Sequence, residues 1–261
     1  MKIMRVYINK KITNGFIELD QSQTHYIKNV MRLNIGDNFN IFNENDGEWV
    51  VELLELNKKI SKVKTLKEIG IKDKPSDIWM LFAPVKKLRV DFIAQKITEL
   101  GARVIWPVLT ERTQYKSIKQ SKILSNAIEA AEQCGLTFIP KVNKIENLEY
   151  IIDNWDHIDS ERTLIFCDEK CENNPKKQLE SIKKINKSNK WAILIGPEGG
   201  FSDKEREKIN NIKNLSIISL GPRILRSDTA IVSSLSLFHS TLGDWVSVSY
   251  THLTLPTKRI V

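Results

Sequence analysis

Two glycine-containing segments late in the chain carry the residue types from which a small-molecule site is built. The first reads Gly196-Pro-Glu-Gly-Gly-Phe-Ser202 and the second Leu220-Gly-Pro-Arg-Ile-Leu-Arg-Ser-Asp-Thr-Ala230. Each follows a short apolar run that reads as a strand, WAILIG (191–196) and SIISL (216–220). Loops beyond the carboxyl ends of parallel strands are where α/β proteins place ligands. In the first, Gly199 and Gly200 allow close approach of backbone to a ligand, and Ser202 with Glu205 three residues on forms a capping box that fixes the next helix. In the second, Arg223 and Arg226 bring two charges to a strand end, where a purely structural turn needs neither. By spacing alone, the first loop also fits a tight connection without a ligand. Neither segment is G-x-G-x-x-G, and no G-x-x-x-x-G-K-[ST] occurs, so NAD and ATP are not expected.

The elements that must hold these loops follow from periodicity. From residue 1 to about 73 the apolar period is mostly two, through Val6 and Ile8, then Phe16, Ile17 and Leu19, then Phe39, Ile41 and Phe42. Asp46-Gly47 between apolar runs marks a hairpin, because glycine accepts positive φ. One helical insert, His25 to Leu33, carries Tyr26, Ile27, Val30 and Met31, with His25 expected as its N-terminal cap in preference to an RNA contact. A small β-barrel over 1–73 is the simplest assembly. After the polar linker Lys72–Ser76 the rhythm changes. Strand-like IWMLFA (78–83) precedes a helical pattern of Leu88, Phe92, Ile93, Ile97 and Leu100, which ends at Gly101. The alternation then continues through VIWPVL (104–109), TLIFC (163–167) and the two loop-bearing strands. Strands alternating with helices imply a parallel sheet covered on both faces over residues 74–245. The last stretch, VSVSYTHLTLPTKRIV (246–261), follows a natural stopping point and reads as a non-native or disordered tail, whose deletion after Ser247 should leave folding and activity unchanged.

The 261 residues contain 40 Lys+Arg against 32 Asp+Glu, a formal charge of +8 that suits a polyanionic partner. Part of that surplus, such as Lys183, Lys184, Lys187 and Lys190, reads as an ordinary solvated face. No apolar run approaches the roughly 18 residues of a membrane span, and the N-terminus alternates where a secretory signal would be continuously apolar. Cys134, Cys167 and Cys171 cannot complete a disulfide framework and suit a reduced compartment, so the cytoplasm is expected. No second Cys/His pair supports a metal site.

Taken together, LIGPEGGFS (194–202) and LGPRILRSDTA (220–230) resemble the last two motifs of the RsmE family. These are SPOUT-superfamily methyltransferases that modify N3 of a uridine in bacterial 16S rRNA. KITELG (96–101) with TERTQ (110–114), and EAAEQCG (129–135), resemble the family's middle motifs. His25 with VMRLNIGD (30–37) resembles its PUA-like N-terminal domain. The resemblance covers residues from about 4 to 245. The chain has Asp228 where the family usually has Glu, and Gly135-Leu136 where a basic residue commonly follows.

This resemblance implies a PUA-like barrel followed by an α/β domain tied in a trefoil knot, a homodimer, and S-adenosylmethionine as cofactor. Ile195, Gly196, Pro197, Gly199, Gly200, Leu220, Gly221, Ile224, Leu225, Thr229 and Ala230 would hold that cofactor. The activated sulfonium methyl needs little chemistry beyond alignment with uracil N3 and removal of the N3 proton. Arg226, with Arg223 as alternate, would stabilise the uracil anion, although a salt bridge to Asp228 or a phosphate contact would also suit Arg226. Glu198 would accept a proton or orient its loop. Arg5 and Arg32 on the barrel, with Lys86, Lys87, Arg89, Lys96 and Arg112 beyond it, are candidate contacts for 16S rRNA or the small ribosomal subunit, with no membrane or DNA partner. A methyltransferase acting on tRNA or on a ribose hydroxyl, and a noncatalytic RNA-binding protein, are the rival readings.

Overall fold

The structure, a computed structural model, describes residues 4–70, 75–85, 87–186 and 188–247. Lys86, the side chains of Lys87 and Arg89, and residues 248–261 of the expected tail lie outside the described residues. The first part comprises β1 (Arg5–Tyr7), β2 (Phe16–Leu19), α1 (Gln21–His25), a π-helical turn (Tyr26–Val30), β3 (Asn38–Asn43), β4 (Gly47–Leu56) and β5 (Ser61–Glu68). Its sheet runs β1-β3-β4-β5-β2, with β1 parallel to β3 and the remaining pairs antiparallel. The sheet curls around Val6, Ile17, Leu19, Phe39, Ile41, Val51, Leu53 and Val63, the inward residues of its alternating strands, which Ile27 covers from the helical insert. Gly47, at φ +74°, turns the β3–β4 hairpin.

The helical insert begins earlier than its apolar pattern implies. Asp20, not His25, is the cap: its carboxylate accepts from Gln23 N–H at 2.9 Å, and the Gln23 side chain returns an acceptor to Asp20 N–H. His25 instead closes α1 and leads into the π turn. A polar first turn hides such a start from a search for apolar periodicity.

The second part follows as β6 (Asp77–Phe82), α2 (Lys87–Glu99), β7 (Val104–Leu109), α3 (Gln120–Cys134), β8 (Lys141–Val142) and β9 (Glu146–Asn147). It continues with α4 (Leu148–Asp153), α5 (Trp155–Asp159), β10 (Thr163–Cys167), α6 (Pro175–Ile185), β11 (Lys190–Ile195), α7 (Asp203–Asn210), β12 (Leu215–Ile218), α8 (Ser227–Thr241) and a 3-10 turn at Asp244–Ser247. The strands are ordered β12-β10-β11-β6-β7-β8, with β9 also against β7, and every pairing is parallel. Central strands are apolar on both faces because helices cover both. In β6, Ile78, Met80 and Phe82 join one core with α2, α3 and α8, while Leu81 faces the other, against α4, α5 and α7. β11 divides the same way, with Trp191, Ile193 and Ile195 on one side and Ala192 and Leu194 on the other. Along α2 the buried stripe is Val90, Ile93, Ala94 and Ile97, and Phe92, expected inside, is 43% exposed.

Arg5 is the point where the structure corrects an expected RNA contact. Its side chain is only 7% exposed, and every donor nitrogen has an acceptor. Nε and Nη2 donate to the Glu48 carboxylate, Nη1 to Ala131 O at 2.7 Å, and Nη2 also to Leu136 O at 2.8 Å. The guanidinium thus ties β1 to the carbonyls at the end of α3, where a cation is favoured by the helix dipole. It stacks on Phe42 as it does so. Beside it, Tyr7 N–H donates to Glu132 at 3.0 Å, and the more exposed Arg103 pairs with Glu44 at 2.6 Å, so the two parts of the chain meet through polar contacts.

Candidate functional site

Strands β10, β11 and β12 end side by side, and their following loops surround a cleft of about 820 Å³. Its walls are Cys167–Pro175, excepting Lys170, after β10, then Ile195–Phe201 after β11, and Ser219–Leu225 with Ser227 and Ala230 after β12. Of the residues expected to hold a cofactor, Ile195, Gly196, Pro197, Gly199, Gly200, Leu220, Gly221, Ile224, Leu225 and Ala230 stand on this wall, and Thr229 does not. Of the expected catalytic residues, Glu198 and Arg223 line it. Arg226 is exposed at the position preceding α8, beside the wall.

The loop after β11 is shaped from below by a buried aromatic. Phe201 is 1% exposed and packs edge-on against Phe166, with centroids 4.9 Å apart. Its ring lies where a side chain on residue 196 would go: a Cβ built on Gly196 would come 2.5 Å from it. The turn closes through Gly200 N–H donating to Pro197 O at 2.9 Å, with Gly200 at φ +66°. The expected capping box is present. Ser202 Oγ accepts from Glu205 N–H, and Glu205 Oε2 accepts from Ser202 N–H at 2.9 Å.

Neighbouring loops brace this turn. The other Glu205 oxygen accepts from Glu111 N–H at 2.8 Å, and Arg112 Nη1 donates to Gly199 O at 2.9 Å. Arg112, expected to meet RNA, therefore holds the glycine turn from the end of β7 while remaining exposed. From the other side, Ser227 Oγ donates to Gly196 O at 3.1 Å and joins the second loop to the first. Asn173 Nδ2 donates to Ile217 O and its Oδ1 accepts from Ser219 N–H, which fixes the loop after β10 against β12.

Sequence reasoning did not find that loop after β10. Asp168, Glu169 and Asn173 lack a motif, but they follow TLIFC at the carboxyl end of a parallel strand, the placement that singled out the other two loops. Burial pushes the Asp168 carboxyl upward, and hydrogen bonds from Arg206 and Lys170 N–H outweigh this and hold it below the ordinary carboxylate range. Burial also pushes the Cys167 thiol up, so it stays protonated and unreactive on the cleft wall.

Arg32 and Lys96, the other expected RNA contacts whose side chains are described, are not among the residues lining the cleft. Arg32 is exposed in the left-handed region at φ +57° after the π turn. Lys96 is half-buried against Glu99 at 2.7 Å. Among the described residues, no helix is long and apolar enough to cross a membrane.

A parallel sheet with a ligand-sized cleft at its strand ends defines a small-molecule-binding α/β domain, and comparison with known proteins gives its class. Residues 72–239 match the family model of an RNA methyltransferase domain, and residues 19–66 match that of an RNA methyltransferase PUA domain. The chain is 31% identical over 254 residues to the ribosomal RNA small subunit methyltransferase E of Buchnera aphidicola subsp. Acyrthosiphon pisum, covering 94% of this chain and 96% of that one. It superposes on a Legionella pneumophila methyltransferase solved with bound SAM, with TM-score 0.81, 27% identity and coverage of 94% and 100%. The fold is shared with a ribosomal RNA small subunit methyltransferase E from Neisseria gonorrhoeae bound to S-adenosyl methionine, with TM-score 0.78, 24% identity and coverage of 93% and 99%. The chain belongs to the ribosomal RNA small subunit methyltransferase E family.

Proposed function

We propose that this protein methylates N3 of a uridine in the 16S rRNA of the small ribosomal subunit, using S-adenosylmethionine. The observation that carries the reading is the convergence of Ile195–Phe201 and Ser219–Leu225 on one cleft in a chain of this family. The cleft fits the cofactor. About 820 Å³ is the size of a nucleoside-binding site. Its walls offer backbone groups around Gly196, Gly199 and Gly221 for the base and ribose, and a carboxylate at Glu172 suited to a cationic ligand, Asp168 and Glu169 being held by Arg206. When bound, S-adenosylmethionine supplies a methyl group already activated by its positive sulfur.

The chain's own residues then have two tasks. The loops must hold the uracil in line with the methyl group, which supplies most of the acceleration for so reactive a donor. Loss of the N3 proton spreads negative charge onto the uracil carbonyl oxygens, and the N3 electron pair then takes the methyl group as its bond to sulfur breaks. Arg226, at the head of α8, and Arg223, on the cleft wall, supply cations for that charge. Glu198, on the same wall, accepts the departing proton or orients its loop.

Three further parts belong to this reading. Residues 1–73 act as the RNA-binding unit and 74–245 as the catalytic unit, supported by their separate sheets. The catalytic unit is tied in a trefoil knot, supported by its membership of the family. The protein works as a homodimer in the cytoplasm, where ribosomes are assembled. The test is transfer of labelled methyl groups from S-adenosylmethionine to small-subunit rRNA and small subunits, with tRNA as control. Incorporation confined to the ribosomal substrates supports the reading, whereas cofactor binding with no incorporation, or with tRNA preferred, refutes it.

A further inference from the structure

Arg206 sits outside every motif, in the charged helix DKEREKIN, yet it makes the densest set of polar contacts near the cleft. Its Nε donates to Asp168 Oδ2 at 3.1 Å and its Nη2 to Asp168 Oδ1 at 3.0 Å. Nη2 also donates to Glu169 Oε1 at 2.7 Å, and Nη1 to the Phe201 carbonyl. The pair with Asp168 is nearly closed to solvent, with side-chain exposures of 12% and 11%. Its starting point is fixed as well. Arg206 lies one residue beyond the Ser202–Glu205 capping box, and Glu205 is itself held by Glu111 N–H.

The consequence is geometric. The loop after β10 carries two adjacent carboxylates, and the glycine turn after β11 has a backbone carbonyl facing the same space. Without a cation between them these groups repel, and Asp168 would be left buried and unpaired. The approach is close: a Cβ on Gly200 would come 2.6 Å from Glu169 Oε1. We propose that Arg206 is a positioning residue for the methyl donor, closing the cleft by clamping the 168–169 carboxylates onto the 197–201 turn. It acts through Asp168, Glu169 and the Phe201 carbonyl. The inference rests on the reading of this cleft as the S-adenosylmethionine site.

The test measures S-adenosylmethionine binding by calorimetry for the wild type, Arg206→Met and Arg206→Lys, together with KM for cofactor and rRNA and the thermal midpoint. Arg206→Met keeps the apolar stem and removes the fork. The expected result is cofactor affinity weakened at least about 10-fold, with KM for rRNA little changed and the midpoint lowered by the loss of Asp168's partner but still above the assay temperature. Lysine, which presents a point charge in place of the fork, should restore part of the loss. A wild type that binds and an Arg206→Met variant that binds within twofold of it would overturn the clamp and leave the functional reading standing. Loss of cofactor and rRNA binding together with a collapsed midpoint would show a merely structural role and overturn it too. A folded wild type that does not bind S-adenosylmethionine would overturn the functional reading, and the clamp with it.

Discussion

Arg226 and Arg206 stand at opposite ends of what a side chain can do here. Arg226 is exposed at the head of α8 and makes no side-chain cap hydrogen bond there. Replacing it with alanine should lower turnover about 100-fold, the usual cost of one preorganised charge at a developing anion, and leave cofactor affinity within about twofold. Single-turnover kinetics beside calorimetry separate the two effects. Much of the cleft wall was legible in sequence because its residues are contiguous in two loops, and because Gly196 and Gly200 occupy positions a Cβ could not. Asp168, Glu169 and Arg206 were not legible. A helix reading DKEREKIN has the composition of a solvated surface, and the carboxylates it meets lie 38 and 37 positions away.

Helices and strands were largely readable, and the failures share a cause. Alternation revealed the parallel sheet because each central strand is apolar on both faces. It missed the start of α1, where Asp20 and Gln23 cap through hydrogen bonds that leave no apolar trace, and it put Phe92 on the wrong side of α2. Helix α3 carries a less visible feature. Burial pushes the Glu132 carboxyl up to about 7, although Tyr7 N–H and the Tyr26 hydroxyl favour its charged form. The folded state therefore keeps a proton that the unfolded chain, with a carboxyl near 4.5, releases earlier. That stabilising contribution is complete below pH 4.5 and is lost as pH rises through 7. Glu132→Gln, which mimics the protonated form, should match the wild type near pH 4.5 and exceed it by roughly 2–3 kcal/mol at pH 8. Urea unfolding across that range checks it. A gap independent of pH would contradict the assignment.

Across the molecule, the +8 charge no longer counts Arg5 among residues free to meet RNA. Arg5 joins the barrel to the catalytic part through contacts 126 and 131 positions apart, a relation that local periodicity cannot express. Arg5→Ala would leave Glu48 half-satisfied and two carbonyls without donors. It should destabilise the protein by about 3 kcal/mol and let the two parts unfold in separate steps, visible as non-coincident denaturation monitored by different probes. The same joint fixes where the barrel stands relative to the cleft, as a folded rRNA spanning both would require. The most direct test of that account is nucleoside mass spectrometry of small-subunit rRNA after incubation with the protein and S-adenosylmethionine. The account predicts one new 3-methyluridine per rRNA, dependent on Arg226. A methyl group on a ribose, on another base, or nowhere in rRNA the protein binds would contradict it.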